Sequence, residues 1–363
     1  MFKIPIARPN IGKLEFKIVS KVIKSKWISS KGTYIKKFEN KFRDFLGGGY
    51  PLSVTNGTHA LQLGISAIGI KPGDEIILPN LTFGASINAI LNCGARPVLV
   101  DINKDTWTID IEQIKKATNK RTKAIMLVHV YGLSCEIDQI KKFAKKKKLL
   151  LIEDCAEALG SKYKNRIVGL DGDCSCHSFF ANKTITTGEG GMVVFKKKSY
   201  YQRAIKIKNH GMSLHKKYFH DLVGSNYRLT NIQAAIGCEQ LKKIKKLLNY
   251  RKKIFKIYDS LIDDRYFQKL PYDNRSTNSY WLYVVIPRKK INRHKIIDFF
   301  KKKGVEVTPT FYPLHKMEPF KKYSFGKFLN SNYVGLNGFC LPSSGLNKKE
   351  QIYIVKILNN VIK

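Results

Sequence analysis

Lys183 lies in the segment SFFANKTITTGEGG, between the apolar runs SFF and MVVF, with no other cation from Ile185 to Phe195. Desolvation in such a setting opposes the ammonium charge, and an ε-amine that is partly neutral can condense with a carbonyl. Most other lysines stand in solvated helical runs such as KKFAKKKK and EQLKKIKKLL, where the charge stays hydrated. Around Lys183, the side chains of Ala181, Asn182, Thr184, Thr186 and Thr187 are small or hydrogen-bonding, and Gly188, Gly190 and Gly191 allow the backbone to approach a ligand.

Two earlier segments could serve the same ligand. Thr55-Asn56-Gly57-Thr58-His59-Ala60 is a glycine turn opening a helix; it can hold a phosphate on free N–H groups at the positive end of the helix dipole, or be a capping turn without a ligand. The run LLLIEDCAEALG (residues 149–160) is an apolar strand ending in carboxylates. Asp154 there faces the crevice where α/β sheets collect ligands, its plainer alternative being a helix cap. A phosphate turn, a strand-end aspartate and a later lysine, in that order, are the three anchors pyridoxal 5'-phosphate needs for its phosphate, ring nitrogen and aldehyde.

The elements that would position these residues alternate. The pattern predicts helices over 34–46, 60–68, 85–93, 111–117, 137–146 and 200–207, with strands over 75–78, 97–100, 124–128 and 149–153. This βαβ repetition predicts an α/β sheet with helices on both faces. The region TNIQAAIG to IYDSL (residues 230–261) reads as one long helical stretch bridging two domains. Beyond Phe267, strands in SYWLYVVIP and VEVTPT alternate with helices in HKIIDFFKKKG and KKEQIYIVKILNNVI, as in a smaller α/β domain. The expected division is 1–248, a large domain carrying the N-terminal segment, and 249–363.

Composition restricts the alternatives. The 363 residues are 43% hydrophobic, enough for a large core. Lys and Arg number 66 against 27 Asp and Glu, a formal net charge of +39, but the cations are spread as short helical runs without aromatic interleaving. They predict solvated faces rather than a nucleic-acid surface, and a field that draws in anionic small molecules. Residues 76–95 lack charge but hold Pro79, Gly84, Gly94 and three asparagines, so no membrane span is expected. The opening MFKIPIARPNIG has neither an apolar core nor a cleavage site, which leads us to expect a cytoplasmic protein. Seven cysteines read as reduced thiols; Cys174 and Cys176 lack the partners of a zinc site, and no metal is expected.

The chain resembles the DegT/DnrJ/EryC1/StrS nucleotide-sugar aminotransferases from WISSKG through NGTHAL, LPNLTFGAS, VHVYG, IEDCAEALG, SFFANKTITTGEGG, SNYRLTNIQAAIG and FYPLH to LPSS. The resemblance implies the aspartate aminotransferase-like fold of pyridoxal-phosphate enzymes of fold type I, with a mostly parallel seven-stranded sheet. Lys183 and Asp154 match the catalytic lysine and the aspartate at the ring nitrogen. Gly57, Thr58 and Ser178 match phosphate positions, Phe83 the aromatic residue stacked on the ring, and Glu157 the polar residue near the cofactor's hydroxyl. Asn226 matches an asparagine that reaches the phosphate of a neighbouring subunit, implying a homodimer with shared sites. Arg228, Tyr312 and His315 are the candidates for the nucleotide sugar. The implied reaction passes an amino group from L-glutamate, through pyridoxamine 5'-phosphate, to C4 of GDP-4-keto-6-deoxy-D-mannose; the alternative substrate is a UDP- or dTDP-linked keto sugar such as UDP-4-keto-6-deoxyglucose. Related dehydratases carry histidine where this chain has Lys183.

Overall fold

In each central strand of the large sheet, alternate residues enter different cores. Ile76, Leu78, Ala124, Met126 and Ile152 pack into one cluster, whereas Ile77, Ile125, Leu127 and Leu151 pack into another on the opposite face. Strands buried on both sides read as continuous apolar runs, and helices cover both faces. The computed structural model describes residues 2–361; Met1, Lys363 and Ile362, the last residue of an expected helix, lie outside the described residues.

The strands of the first two thirds are β1 (Tyr50–Val54), β2 (Glu75–Pro79), β3 (Arg96–Val100), β4 (Thr122–Val128), β5 (Leu150–Asp154), a short hairpin of β6 (Lys162–Tyr163) and β7 (Arg166–Ile167), β8 (Cys174–Ser178) and β9 (Gly191–Phe195). Seven of them form one sheet in the order β1-β9-β8-β5-β4-β2-β3. Pairing is parallel from β3 to β8, and β9 runs antiparallel to both its neighbours. This is the mostly parallel α/β sheet expected from the sequence. Asp154 and Ser178 close β5 and β8, so both stand at carboxyl ends of parallel strands.

The C-terminal part adds β10 (Phe267–Lys269), β11 (Ser276–Thr277), β12 (Tyr283–Pro287), β13 (Thr308–Pro309) and β14 (Phe339–Leu341). Four of these make an antiparallel sheet, β10-β12-β14-β13. β11 instead joins β6 and β7 in a three-stranded sheet, a long-range pairing that no local pattern announces.

The expected single helix over 230–261 is two, Asn231–Lys242 and Ile244–Leu261, separated at Lys243 (φ −95°, ψ −3°). The ammonium of Lys243 lies 2.5 Å from Glu15. Glu15 belongs to a helix the sequence reading omits, Lys13–Lys24, and its carboxylate caps that helix at the Gly12 N–H. Ile244 and Leu247 pack with Phe38, Phe42 and Phe179, while Ile254, Phe255 and Tyr258 pack with Phe267, Tyr283 and Phe339. One helix thus spans two cores. Residues 4–8, grouped with the large domain by sequence, hydrogen-bond to the C-terminal part: Ile4 exchanges backbone bonds with Gly304 and Glu306, and Arg8 donates to the Gly345 carbonyl and to Glu350.

Candidate active site

The carboxyl ends of β4, β5 and β8 open onto a cavity of about 510 Å³. At one end, Asn56 caps the helix Gly57–Ala67 by accepting from the His59 N–H at 2.8 Å, which starts that helix three residues before the expected position. A Cβ on Gly57 would stand 2.9 Å from the Ser178 Cβ, and one on Gly191 would stand 2.3 Å from the Asn56 carbonyl oxygen. Only glycine lets the helix start, the end of β8 and the start of β9 meet. Gly57, Thr58 and Ser178 line the cavity together, as expected of an anion cradle.

Asp154 is buried on the cavity wall. Its Oδ2 accepts from the Ser86 hydroxyl at 2.8 Å and its Oδ1 from the Ala156 N–H at 3.1 Å. Burial nevertheless pushes its carboxyl above the usual range, the condition of an acid that lacks a close cation. Phe83, 61% exposed, lines the same cavity beside Phe311, their rings 5.7 Å apart.

Lys183 enters from the loop between β8 and β9. Its Nζ lies 3.8 Å from the centroid of the Trp281 ring and 3.9 Å from Glu157 Oε1. Burial draws the amine below the ordinary lysine range, Glu157 and Asp154 oppose that shift, and Arg251 adds to it. Burial likewise pushes Glu157 up to about 7. Glu157 Oε2 accepts the Tyr131 N–H at 2.7 Å. Tyr131 has φ +52°, a left-handed conformation that costs a bulky residue about 1–3 kcal/mol. It is held there from both ends, since its hydroxyl oxygen accepts the Phe311 N–H at 2.8 Å.

The expected residues Gly57, Thr58, Phe83, Asp154, Glu157, Ser178 and Lys183 therefore meet in one cavity. Within the single chain, Asn226, Arg228, Tyr312 and His315 do not line it. Asn226 is exposed, and Arg228 donates to Asn209 Oδ1. The Tyr312 ring lies 4.6 Å from the Arg293 guanidinium. His315 bonds Asn80 twice and stacks on Phe328 at 4.3 Å, so it joins the two parts of the chain. Sequence reasoning missed Ser86, Tyr131, Trp281, Phe311 and Arg251. Trp281 and Phe311 sit in the apolar runs SYWLYVVIP and FYPLH, whose pattern signals burial but not proximity to Lys183.

His129, Glu153 and Cys155 form a buried group of potential metal ligands. The Cys135 N–H donates to His129 Nδ1, which leaves the proton on Nε2 for Glu153. Glu153 also accepts the N–H groups of Gly169, Asp171 and Gly172, so each of its oxygens already has two donors. All seven cysteines are free thiols.

The sequence profile of the DegT/DnrJ/EryC1/StrS aminotransferase family matches residues 9–359. The chain belongs to this family. It is 42% identical over 358 residues to the GDP-perosamine synthase of Escherichia coli O157:H7, covering 98% of each chain, and 40% identical to that of Vibrio cholerae, covering 94% of each. Among solved structures, Helicobacter pylori PseC, an aminotransferase involved in the biosynthesis of pseudoaminic acid, superposes with a TM-score of 0.94 at 29% identity, covering 99% of this chain and 98% of PseC. The Escherichia coli GDP-4-keto-6-deoxy-D-mannose-3-dehydratase with bound hydrated PLP gives 0.92 at 27%, covering 99% of this chain and all of that one. The fold is that of the pyridoxal-phosphate aminotransferases, and membership makes this chain a pyridoxal-phosphate enzyme of the aminotransferase class. The residues present suit that cofactor: a glycine cradle for a phosphate, a buried carboxyl that burial raises and that forms no ion pair among the described residues, and a lysine whose charge burial disfavours.

Proposed function

We propose that this protein transfers the amino group of L-glutamate to C4 of GDP-4-keto-6-deoxy-D-mannose, giving GDP-perosamine for polysaccharide synthesis in the cytoplasm. The observation that carries the reaction type is Lys183, which lines a cavity together with Asp154 and the Gly57–Ser178 cradle. The choice of sugar is supported by the near-complete overlap with GDP-perosamine synthases. A fold-mate, a 3-dehydratase variant, has also been solved with GDP-perosamine bound. Free cysteines accord with a reducing compartment, and among the described residues no helix is long and apolar enough to cross a membrane.

The cofactor, when bound, supplies an aldehyde that carries the amino group and a ring that takes up an electron pair. The chain's own groups do the rest. Gly57, Thr58 and Ser178 hold the phosphate at the helix start. Asp154 keeps a proton on the ring nitrogen, and that positive charge in turn draws the buried carboxyl down into its ionised form. Phe83 covers the ring. Lys183 Nζ, neutral for part of the time because it is buried, takes the proton from the glutamate carbon and returns it two atoms away, beyond the amino nitrogen; the same amine then serves the sugar carbon in reverse. Glu157, 3.9 Å from that nitrogen, stands where the family has a polar residue near the cofactor's hydroxyl.

The second subunit belongs to this reading. Asn226 is exposed and follows a loop that leaves Tyr218 and Val223 76% and 96% exposed, apolar side chains suited to an interface. A homodimer would bring Asn226 to the phosphate of its partner. The test of the sugar is direct: with glutamate and cofactor, the protein should convert the GDP-linked 4-keto sugar to the amino sugar, read by mass, far faster than the UDP-linked one. Preference for the UDP sugar would reassign the substrate.

A further inference from the structure

Arg251 sits on the helix Ile244–Leu261 and is 5% exposed. It makes no ion pair with any carboxylate among the described residues. Its fork instead binds four backbone carbonyls. Nη1 donates to Trp281 O at 2.8 Å and Tyr280 O at 3.4 Å, and Nη2 to Lys183 O at 3.3 Å and Asn182 O at 3.4 Å. The indole Nε1 of Trp281 donates to the same Asn182 oxygen at 3.2 Å, and the Trp281 ring underlies Lys183 Nζ at 3.8 Å. The contacts close on themselves, from guanidinium to lysine backbone, lysine amine, indole, tryptophan backbone and back.

A buried guanidinium without a counter-charge is costly, and its own ionisation is drawn down to about 10 by that burial. The ordinary reason for such an arginine is to fasten two segments far apart in sequence. Here the fastened segments are the lysine of the site and the indole beneath it, and the fastener carries a charge of the same sign as that lysine.

We propose that Arg251 is a positioning residue for the Lys183 chemistry: its fork locks the Lys183 loop and Trp281 into one unit, and its buried cation, bonded to the backbone of that lysine, opposes a second positive charge there. The inference rests on the reading of Lys183 given above. The groups facing that amine are Glu157 and Asp154 from the end of β5 and its turn, Arg251 from the helix, and Glu189 on the cavity wall from its own loop. The two carboxyls favour the ammonium, whereas the arginine opposes it. Geometry and charge are separable by substitution. A lysine at 251 keeps the charge but loses the planar fork, and a methionine loses both.

The experiment uses cofactor-free protein and pyridoxal 5'-phosphate itself. The bond formed on Lys183 is fixed by borohydride and located by peptide mass, and its rate of formation is followed from pH 6 to 10. Arg251→Met should shift the pH midpoint of capture upward by about one unit, roughly a tenfold slower capture at neutral pH, since each unit is a factor of ten in free amine. Arg251→Lys should hold the midpoint but lower kcat by about tenfold through misplacement, with KM for the sugar little changed. If Arg251→Met is folded and its capture profile and kcat match wild type, the proposal is overturned. If Arg251→Met does not fold, Arg251→Lys decides: wild-type kcat overturns the proposal, and a lowered kcat at an unshifted midpoint supports it. A wild-type protein that captures the cofactor on another lysine overturns the reading of Lys183, and this proposal with it.

Discussion

Glu157 shows at the scale of single residues how a side chain's surroundings set its chemistry. Its sequence position, two residues beyond Cys155 in a strand-end turn, gives no sign that the acid is raised to about 7 by burial. The sign of the pH effect follows. A carboxyl whose folded value lies above its ordinary 4.5 contributes stability at low pH that is lost as pH rises through the window from 4.5 to about 7. Asp154, also raised, acts in the same direction. In the cofactor-free protein these two carboxyls therefore withdraw on the order of 1–3 kcal/mol across that window, against an opposite contribution from the buried His177, which burial draws down to about 3. Glu157→Gln should remove its share, so that in thermal melts from pH 4 to 8 the variant gains stability relative to wild type as pH rises; an unchanged difference between the two would mean that Glu157 is not a titrating group. Lys183, Asp154 and Gly57 were legible in the sequence because each sits in a local motif. Trp281, Tyr131 and Arg251 were not, because their roles arise from contacts with residues tens to hundreds of positions away.

The elements were legible where burial imposes a period. Parallel strands such as β4 and β5 are apolar on both faces, and their runs announce them. The helix Lys13–Lys24 escaped because it is exposed along most of its length, with Glu15 and Val22 its buried residues. The break at Lys243 escaped because helical periodicity continues across it. The three-stranded sheet joining β11 to β6 is two residues deep, too short to leave a pattern. The junction of Gly57 with Ser178 offers the sharpest test at this scale. Alanine at 57 would improve helix propensity, but its Cβ would lie 2.9 Å from the Ser178 Cβ. Gly57→Ala should thus remain folded while its affinity for pyridoxal 5'-phosphate falls at least about tenfold, the loss expected when a phosphate contact is displaced. Titration of the cofactor-free variant measures it, and unchanged affinity would remove the cradle from the site.

The whole molecule joins two cores with one helix and, in the proposed assembly, two chains with one pair of sites. Within the single chain, Asn226 does not line the cavity, so the role proposed for it requires a partner. Lys183→Ala and Asn226→Ala proteins should each be weak enzymes. Co-refolded in equal amounts, half of the dimers would be mixed, and each would keep one intact site, restoring about a quarter of wild-type activity. Activity equal to the mean of the two variants would show that sites are not shared. The +39 charge was legible as a field for anions, but it says nothing about which nucleotide enters.

The most direct measurement of the central assignment is the absorbance spectrum of the cofactor-loaded protein. The band of the lysine-bound cofactor should disappear when L-glutamate is added and return when GDP-4-keto-6-deoxy-D-mannose follows, with Lys183→Ala lacking the band from the outset. A band indifferent to glutamate, or present unchanged in Lys183→Ala, would contradict the account.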